Sequence, residues 1–192
     1  RNSLVEVPEG SIRMGEHFLQ HPRLTVAPVD RIALTGPNGS GKSTLTEKLA
    51  AAMDLPQGRL LYIPQELSGE DSARALDEAR GLGPDTLGLV MSCVRRLGSD
   101  PEPLLGSALP SPGETRKLLL SLGLLLNPWL VMMDEPTNHL DLPGIECLEE
   151  ALSGLPCALL LVSHDKRFLR NTTVREWRIA GTENGGRLEI IP

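Results

Sequence analysis

The chain has 192 residues, 40% of them hydrophobic, enough to bury the core of one domain or of one domain with a small annex. Its formal net charge of −6 gives no support to an independent nucleic-acid or anionic-membrane surface, and it holds no run of about 18 apolar residues, the length a membrane-spanning helix needs. Cys93, Cys147 and Cys157 are odd in number and widely spaced; they fit neither a disulfide framework nor a zinc knuckle, and read as small core residues in a reduced, cytoplasmic setting.

The first residues, Arg1-Asn-Ser-Leu-Val5, include no methionine and no long apolar stretch of a signal peptide. They read as the start of a fragment or of a mature chain, the fragment being preferred. Leu4–Val7 and Arg23–Val26 alternate apolar and polar residues and predict flanking strands. Arg31–Thr35 predicts a strand, followed by a glycine-rich turn and a helix from about Lys42 to Met53. Leu60–Ile63 is a further short strand. Ser72 to Arg80 and Thr86 to Leu97 read as helices interrupted by Gly and Pro, an inserted helical unit. Trp129–Met133 and Ala158–Val162 are apolar throughout, as strands covered on both faces are. Between them an amphipathic helix is expected over Pro143–Leu152, with proline in its first turn. Val174–Ile179 and Arg187–Ile191 alternate again around the turn signal Glu183-Asn-Gly-Gly186, and predict antiparallel strands beside a mostly parallel α/β sheet.

Two stretches carry chemistry. GPNGSGKST, comprising Gly36, Pro37, Asn38, Gly39, Ser40, Gly41, Lys42, Ser43 and Thr44, fits the phosphate-binding loop: glycine, four residues, then Gly-Lys-Ser between a strand and a helix. Its glycines let the backbone fold round phosphates and aim N–H groups at them, and the helix adds its partly positive end. Lys42 would reach the β and γ phosphates and the Ser43 hydroxyl would bind Mg²⁺. MDEPTNHLD, Met133 to Asp141, places two acids directly after a buried strand and a proline directly after the acids. In phosphate-loop enzymes an acid at the end of a neighbouring strand holds magnesium, the part assigned to Asp134; the adjacent Glu135 can polarise the water that attacks the γ-phosphate. A helix cap would account for one acid and not for both.

Three further stretches lie in register with these: YIPQE with Gln65, PSPGETRK beginning at Pro110, and LLLVSHD with His164 after a strand. In this order the chain resembles the nucleotide-binding domain of ABC ATPases over essentially its whole length. The resemblance implies a Q-loop at Gln65, counted with Ser43 and Asp134 toward the metal. It implies a signature at Ser111, Gly113 and Glu114 that acts on a partner domain's ATP, a D-loop at Asp141, and a catalytic group of Lys42, Glu135 and the switch histidine His164. One domain of 192 residues follows, its core over about 1–66 and 115–192 and its helical subdomain over about 67–114.

DEPTNHLD and the Glu114-Thr-Arg-Lys117 run look like the ABC-F group, twin-domain ATPases that act on ribosomes. About 67 residues separate Ser43 from Pro110, leaving no room for the helical arm typical of a first ABC-F domain, so the chain resembles the second. Implied partners are ATP with Mg²⁺, the other ABC domain of the same protein, and the ribosome through parts outside this chain; direct membrane contact is not expected. Implied roles are ribosome protection against antibiotics or translation-factor activity. The alternative is the energy module of a membrane ABC transporter, and a third reading is a catalytically dead binding module. Two departures stand out. Pro112 replaces the usual signature glycine, removing an N–H donor, and Ile12-Arg-Met14 stands where the family places an adenine-stacking aromatic. Arg13 or Met14 is then expected against the base, with Phe18 as a poorly registered substitute.

Overall fold

The protein is described by a computed structural model covering residues 3–15, 17–182 and 185–191. Its elements run β1 (Val5–Val7), β2 (Gly10–Met14), β3 (His17–His21), β4 (Leu24–Val26), β5 (Arg31–Thr35), α1 (Lys42–Ala52), β6 (Leu60–Ile63), α2 (Gly69–Arg80), α3 (Pro84–Arg96), α4 (Pro101–Gly106), α5 (Pro112–Leu124), β7 (Leu130–Asp134), α6 (Leu142–Ser153), β8 (Ala158–Val162), α7 (Lys166–Thr172), β9 (Arg175–Thr182) and β10 (Gly185–Ile191).

Eight strands form one sheet in the order β2-β3-β10-β9-β5-β8-β7-β6. From β9 through β6 every pairing is parallel; β10 lies antiparallel to β9, β3 parallel to β10, and β2 antiparallel to β3. β1 and β4 form a separate antiparallel pair. β7 and β8 are buried at every residue, as their unbroken apolar sequences require. One face of the sheet packs with Leu45 and Leu49 of α1 and with Val5, Leu24 and Val26 of the small pair. The other packs with Leu148 and Leu152 of α6 and Phe168 and Leu169 of α7. A third cluster joins Ala75, Leu76 and Ala79 of α2 to Val90 and Val94 of α3 and Leu104 of α4.

α5 belongs to both halves. Leu118 and Leu122 enter the helical cluster, whereas Leu120 packs on the sheet, so the boundary expected near residue 114 falls inside a helix that the two halves share.

The expected strands over 31–35, 60–63 and 158–162 form at those bounds. The strand expected over 129–133 is displaced by one residue, leaving Trp129 outside and making Asp134 the last residue of the strand. The flanking strand at 174–179 begins at Arg175; it is antiparallel only to β10 and parallel to β5, so it continues the core sheet instead of merely flanking it. Of the expected turn, Gly185 and Gly186 belong to β10, and Glu183 and Asn184 lie outside the described residues. β2 and β3 had no sequence expectation. They sit at the sheet edge, where GSIRM and HFLQH bury little beyond Leu19 and His21, so apolar alternation is weak.

Arg31 opens β5 and closes α6. Its guanidinium donates to the carbonyls of Leu152 (2.9 Å), Leu155 (2.8 Å) and Ser153 (3.2 Å), supplying the cation that a helix C-terminus with no basic residue in its own last turn lacks. Arg31→Ala is expected to lower stability by about 1.5–3 kcal/mol in urea unfolding, the range for hydrogen bonds from a charged donor. A loss below about 0.5 kcal/mol, the scatter of neutral surface changes, would contradict this.

Candidate nucleotide site

Four adjacent parallel strands, in the order β5, β8, β7, β6, end on the same side of the sheet. The glycine-rich loop follows β5, His164 follows β8, Asp134 ends β7 with Glu135 directly after it, and Gln65 follows β6. Crossover connections return each chain to the other end, so side chains distant in sequence converge beyond the strand ends, where ligands of open α/β sheets bind. The resulting cleft of about 550 Å³ is lined by Gly39, Lys42, Ser43, Gln65, Asp134, Glu135 and His164, among others.

The loop is built for an anion. Gly39 and Gly41 take φ of 75° and 88°, and a side chain at Gly36 would meet the Ile179 carbonyl at 2.9 Å. Gly41 is the N-cap of α1 and provides no side-chain cap, and the first turn holds no acid, so the first-turn N–H groups have no side-chain acceptor within the helix. Lys42 is buried, and its Nζ folds back onto the carbonyls of Gly36 (3.1 Å) and Pro37 (3.0 Å).

The acids face it. Asp134 is 1% exposed and neither carboxylate oxygen has a hydrogen-bond partner. Burial pushes its pKa up, with the nearby Ser43 hydroxyl and Lys42 ammonium holding it partly down. The Ser43 hydroxyl itself turns toward Gln65 Oε1, 3.5 Å away. Glu135 is also buried, in the left-handed region at φ 47°, while its N–H still bonds Val162 O (2.8 Å) and extends the β7–β8 ladder by one step. Its Oε2 accepts from the His164 N–H at 3.2 Å; Oε1 lies 3.3 Å from His164 Nε2, within ion-pair range but without hydrogen-bond alignment. Burial raises the Glu135 pKa, and the contacts with His164 oppose the rise.

The oxygen donors fit magnesium. Among the described residues no three His, Cys, Asp or Glu side chains form a cage. Magnesium binds through one or two carboxylates and retains waters and substrate phosphate, so the orphaned Asp134 oxygens beside Ser43 Oγ and Gln65 Oε1 offer the donor type it takes.

Arg13 is not brought into the cleft. Its side chain is exposed and its Nε donates to Gly15 O (3.0 Å), because alternation along β2 sends it to the face opposite Ile12 and Met14. The Met14 thioether instead lies against Gly41, 3.2 Å from where a Cβ would stand. Phe18 is 52% exposed on β3 and does not line the cleft either. Ser111 caps α5: its hydroxyl donates to Glu114 Oε2 (2.6 Å) and accepts from the Glu114 N–H (3.3 Å). Pro112 occupies the first helical turn, where a proline forfeits an N–H that no helix uses internally, so the substitution is compatible with the helix. Asp141 caps α6 through the Gly144 N–H (3.0 Å).

Sequence and structure comparisons agree with this geometry. A family model described as ABC transporter matches residues 19–90. The zinc import ATP-binding protein ZnuC of Cereibacter sphaeroides is 33% identical over 85% of this chain and 73% of its own length. The chain belongs to the ABC ATPase family. This ABC domain is also 35% identical to the ATP-binding protein Uup of Caulobacter vibrioides, over 79% of the chain but 26% of Uup. With the ribosome protection protein VmlR of Bacillus subtilis it shares 33% identity over 98% of the chain and 36% of VmlR. It thus spans about a quarter to a third of these two relatives. A dimeric ATP-binding cassette in a post-hydrolysis state with ADP and Pi superposes over 98% of the ABC domain and 95% of its own chain, with TM-score 0.68 and 16% identity, a likeness of fold.

The raised pKa of Asp134 has a sign that can be tested. A carboxyl whose pKa rises on folding holds its proton more firmly in the native state, so its relative stabilisation is present below the ordinary range near 3.8 and is lost as pH rises through the raised value. Asp134→Asn is therefore expected to stabilise the nucleotide-free ABC domain at pH 7.5 by about 1 kcal/mol or more, because the amide is unpaired too but escapes the larger desolvation cost of a charge, with the gap closing toward pH 4. Thermal unfolding of both proteins across that range measures it; a variant no more stable than wild type at pH 7.5 contradicts it.

Proposed function

We propose that this domain binds MgATP and supplies one half of a hydrolytic site completed by a second ABC domain. The observation that carries the reading is Asp134, buried with both oxygens unpartnered, in the same cleft as a phosphate loop whose lysine has only backbone carbonyls as partners. Gly36 through Thr44 cradle the phosphates, and Lys42 exchanges its two carbonyls for phosphate oxygens. Ser43, Asp134 and Gln65 hold magnesium, which when bound neutralises charge on the β and γ phosphates. Glu135, a stronger base than an exposed glutamate because burial raises its pKa, orients and polarises the attacking water, and His164 fixes the Glu135 carboxylate. Met14, in place of Arg13, covers the loop on the side where a base would lie.

Ser111, Gly113 and Glu114 act on the ATP of the opposite domain, and Asp141 lies in the D-loop between the two. For the Ser111 hydroxyl to donate to a partner's phosphate it has to leave Glu114 Oε2. In the whole protein the role supported best is that of an ABC-F ATPase in translation, protecting ribosomes: the match to VmlR runs through 98% of this chain, and the DEPTNHLD run favours the same group. A cytoplasmic location follows from that role. The match to ZnuC supports the second reading, the energy module of an importer. A second phosphate loop and a charged helical linker in the adjoining reading frame would decide for the first, a permease for the second.

Isothermal titration with MgADP tests the binding claim. Lys42→Ala is expected to weaken affinity about 10- to 150-fold, the equivalent of about 1.5–3 kcal/mol for one charge-assisted contact. Equal affinities end the reading. Because each hydrolytic site is shared, the domain alone is expected to be a monomer with ATPase activity near background. Glu135→Gln is expected to favour any ATP-dependent dimer, by removing a charge near the γ-phosphate. Light scattering with phosphate release measures both, and brisk hydrolysis by a strict monomer contradicts the shared site.

A further inference from the structure

Arg116 is 2% exposed, one of the most buried charged residues among those described. Its guanidinium reaches two segments at once, one lining the cleft and one following Glu135: one terminal nitrogen donates to the carbonyl of Gln65 (2.8 Å), the other to the carbonyl of Asn138 (3.1 Å). Among the described residues its Nε has no partner and no carboxylate comes within ion-pair distance, although the charges of Asp134 and Glu135 are near enough to favour the cation. A buried cation held by two carbonyls is an expensive arrangement that a well-packed apolar side chain would replace if filling space were its purpose.

What surrounds it gives the arrangement a use. Arg116 lies one turn into α5, three residues after Gly113, whose Cα packs so closely on the His139 carbonyl that a Cβ would stand 3.1 Å from it. His139 takes φ 63°, turning that carbonyl toward the helix. The loop from Asn138 to Leu140 is thus pressed on α5 at Gly113 and tied to it at Arg116. The Gln65 end of β6 is tied to the same guanidinium. α5 in turn packs into the helical cluster through Leu118 and Leu122.

The geometry points to Arg116 as a positioning residue: a two-pronged latch that fixes Gln65 and the Asn138–His139 loop to α5, so that any displacement of the helical unit moves cleft-lining Gln65 and the loop after Glu135 together. The planar fork of arginine suits it to span two carbonyls in fixed directions, whereas the point charge of lysine does not. The two tied segments adjoin different parts of the site: Gln65 faces Ser43 Oγ, and Asn138 follows Glu135, to whose carbonyl its N–H bonds (3.2 Å). The cleft role of these segments rests on the proposed function; the latch itself does not.

The test is hydrogen exchange on the nucleotide-free chain, with segments 61–68 and 137–140 followed against α3 as reference; the first includes the bonded amides of β6 and of Ser68. Arg116→Met is expected to speed exchange about tenfold or more in both segments, and to leave α3 unchanged. Arg116→Lys, which keeps the charge and more of the volume, is expected to leave at least one of the two segments faster than wild type. Acceleration spread evenly through α3 as well would mark ordinary loss of packing and overturn the latch, as would Arg116→Met with either segment unchanged. Should the methionine variant fail to fold, Arg116→Lys decides alone: exchange equal to wild type in both segments overturns the proposal. Adding MgADP to the wild-type chain separates the two claims, since failure to protect Gly36–Thr44 would sink nucleotide binding while the nucleotide-free comparison still judges the latch.

Discussion

Two carboxylates leave water when β7 packs between β6 and β8, and neither oxygen of Asp134 regains a hydrogen bond. Nearby Ser43, Lys42 and Arg116 offset only part of that burial, because Lys42 bonds loop carbonyls and Arg116 bonds the carbonyls of Gln65 and Asn138. The cleft therefore holds Asp134 close to cations without pairing it with any of them among the described residues. Such an arrangement persists because the sheet around it, apolar throughout β7 and β8, is stable enough to hold it. In the proposed function, a divalent cation arriving with an anionic phosphate would satisfy both sets of groups in one step.

Helix α5 connects the cleft to the rest of the molecule. Its serine is occupied in a capping box, its proline sits at a position that needs no N–H, and its glycine is pressed against the loop after Glu135. The start of α5 is thus shaped by helix-end chemistry on one side and by close packing on the other. Leu118, Leu120 and Leu122 then divide its body between the helical cluster and the sheet. A helix so divided is the natural element through which an event outside the sheet could reach the strand ends.

Much of the site was legible in the sequence because its parts are local. A phosphate loop needs glycines at fixed spacing, and two acids after an apolar run declare a buried strand end; both signals lie within nine residues and both fell where expected. The position of His164 followed from the strand before it. Less legible were features set by tertiary contact. Arg13 and Met14 are neighbours, and only the pairing of β2 with β3 at the sheet edge decides which of them faces Gly41. In the sequence Arg116 stands out only as part of the Glu114–Lys117 run; its place three residues after Gly113 and four before Leu120 was the available sign that it lies on an inward face. The left-handed backbone of Glu135 and His139 left no sequence trace, since neither residue type demands it.

The central claim is that the unpaired Asp134 carboxylate awaits a cation delivered with the nucleotide. ATP affinity of the wild-type chain, measured by calorimetry once with magnesium and once with the metal chelated, tests it most directly. The account predicts that chelation weakens binding by about tenfold or more, equivalent to about 1.4 kcal/mol, because bare phosphate then approaches two buried acids with nothing between them. Equal affinity in the two conditions would contradict it.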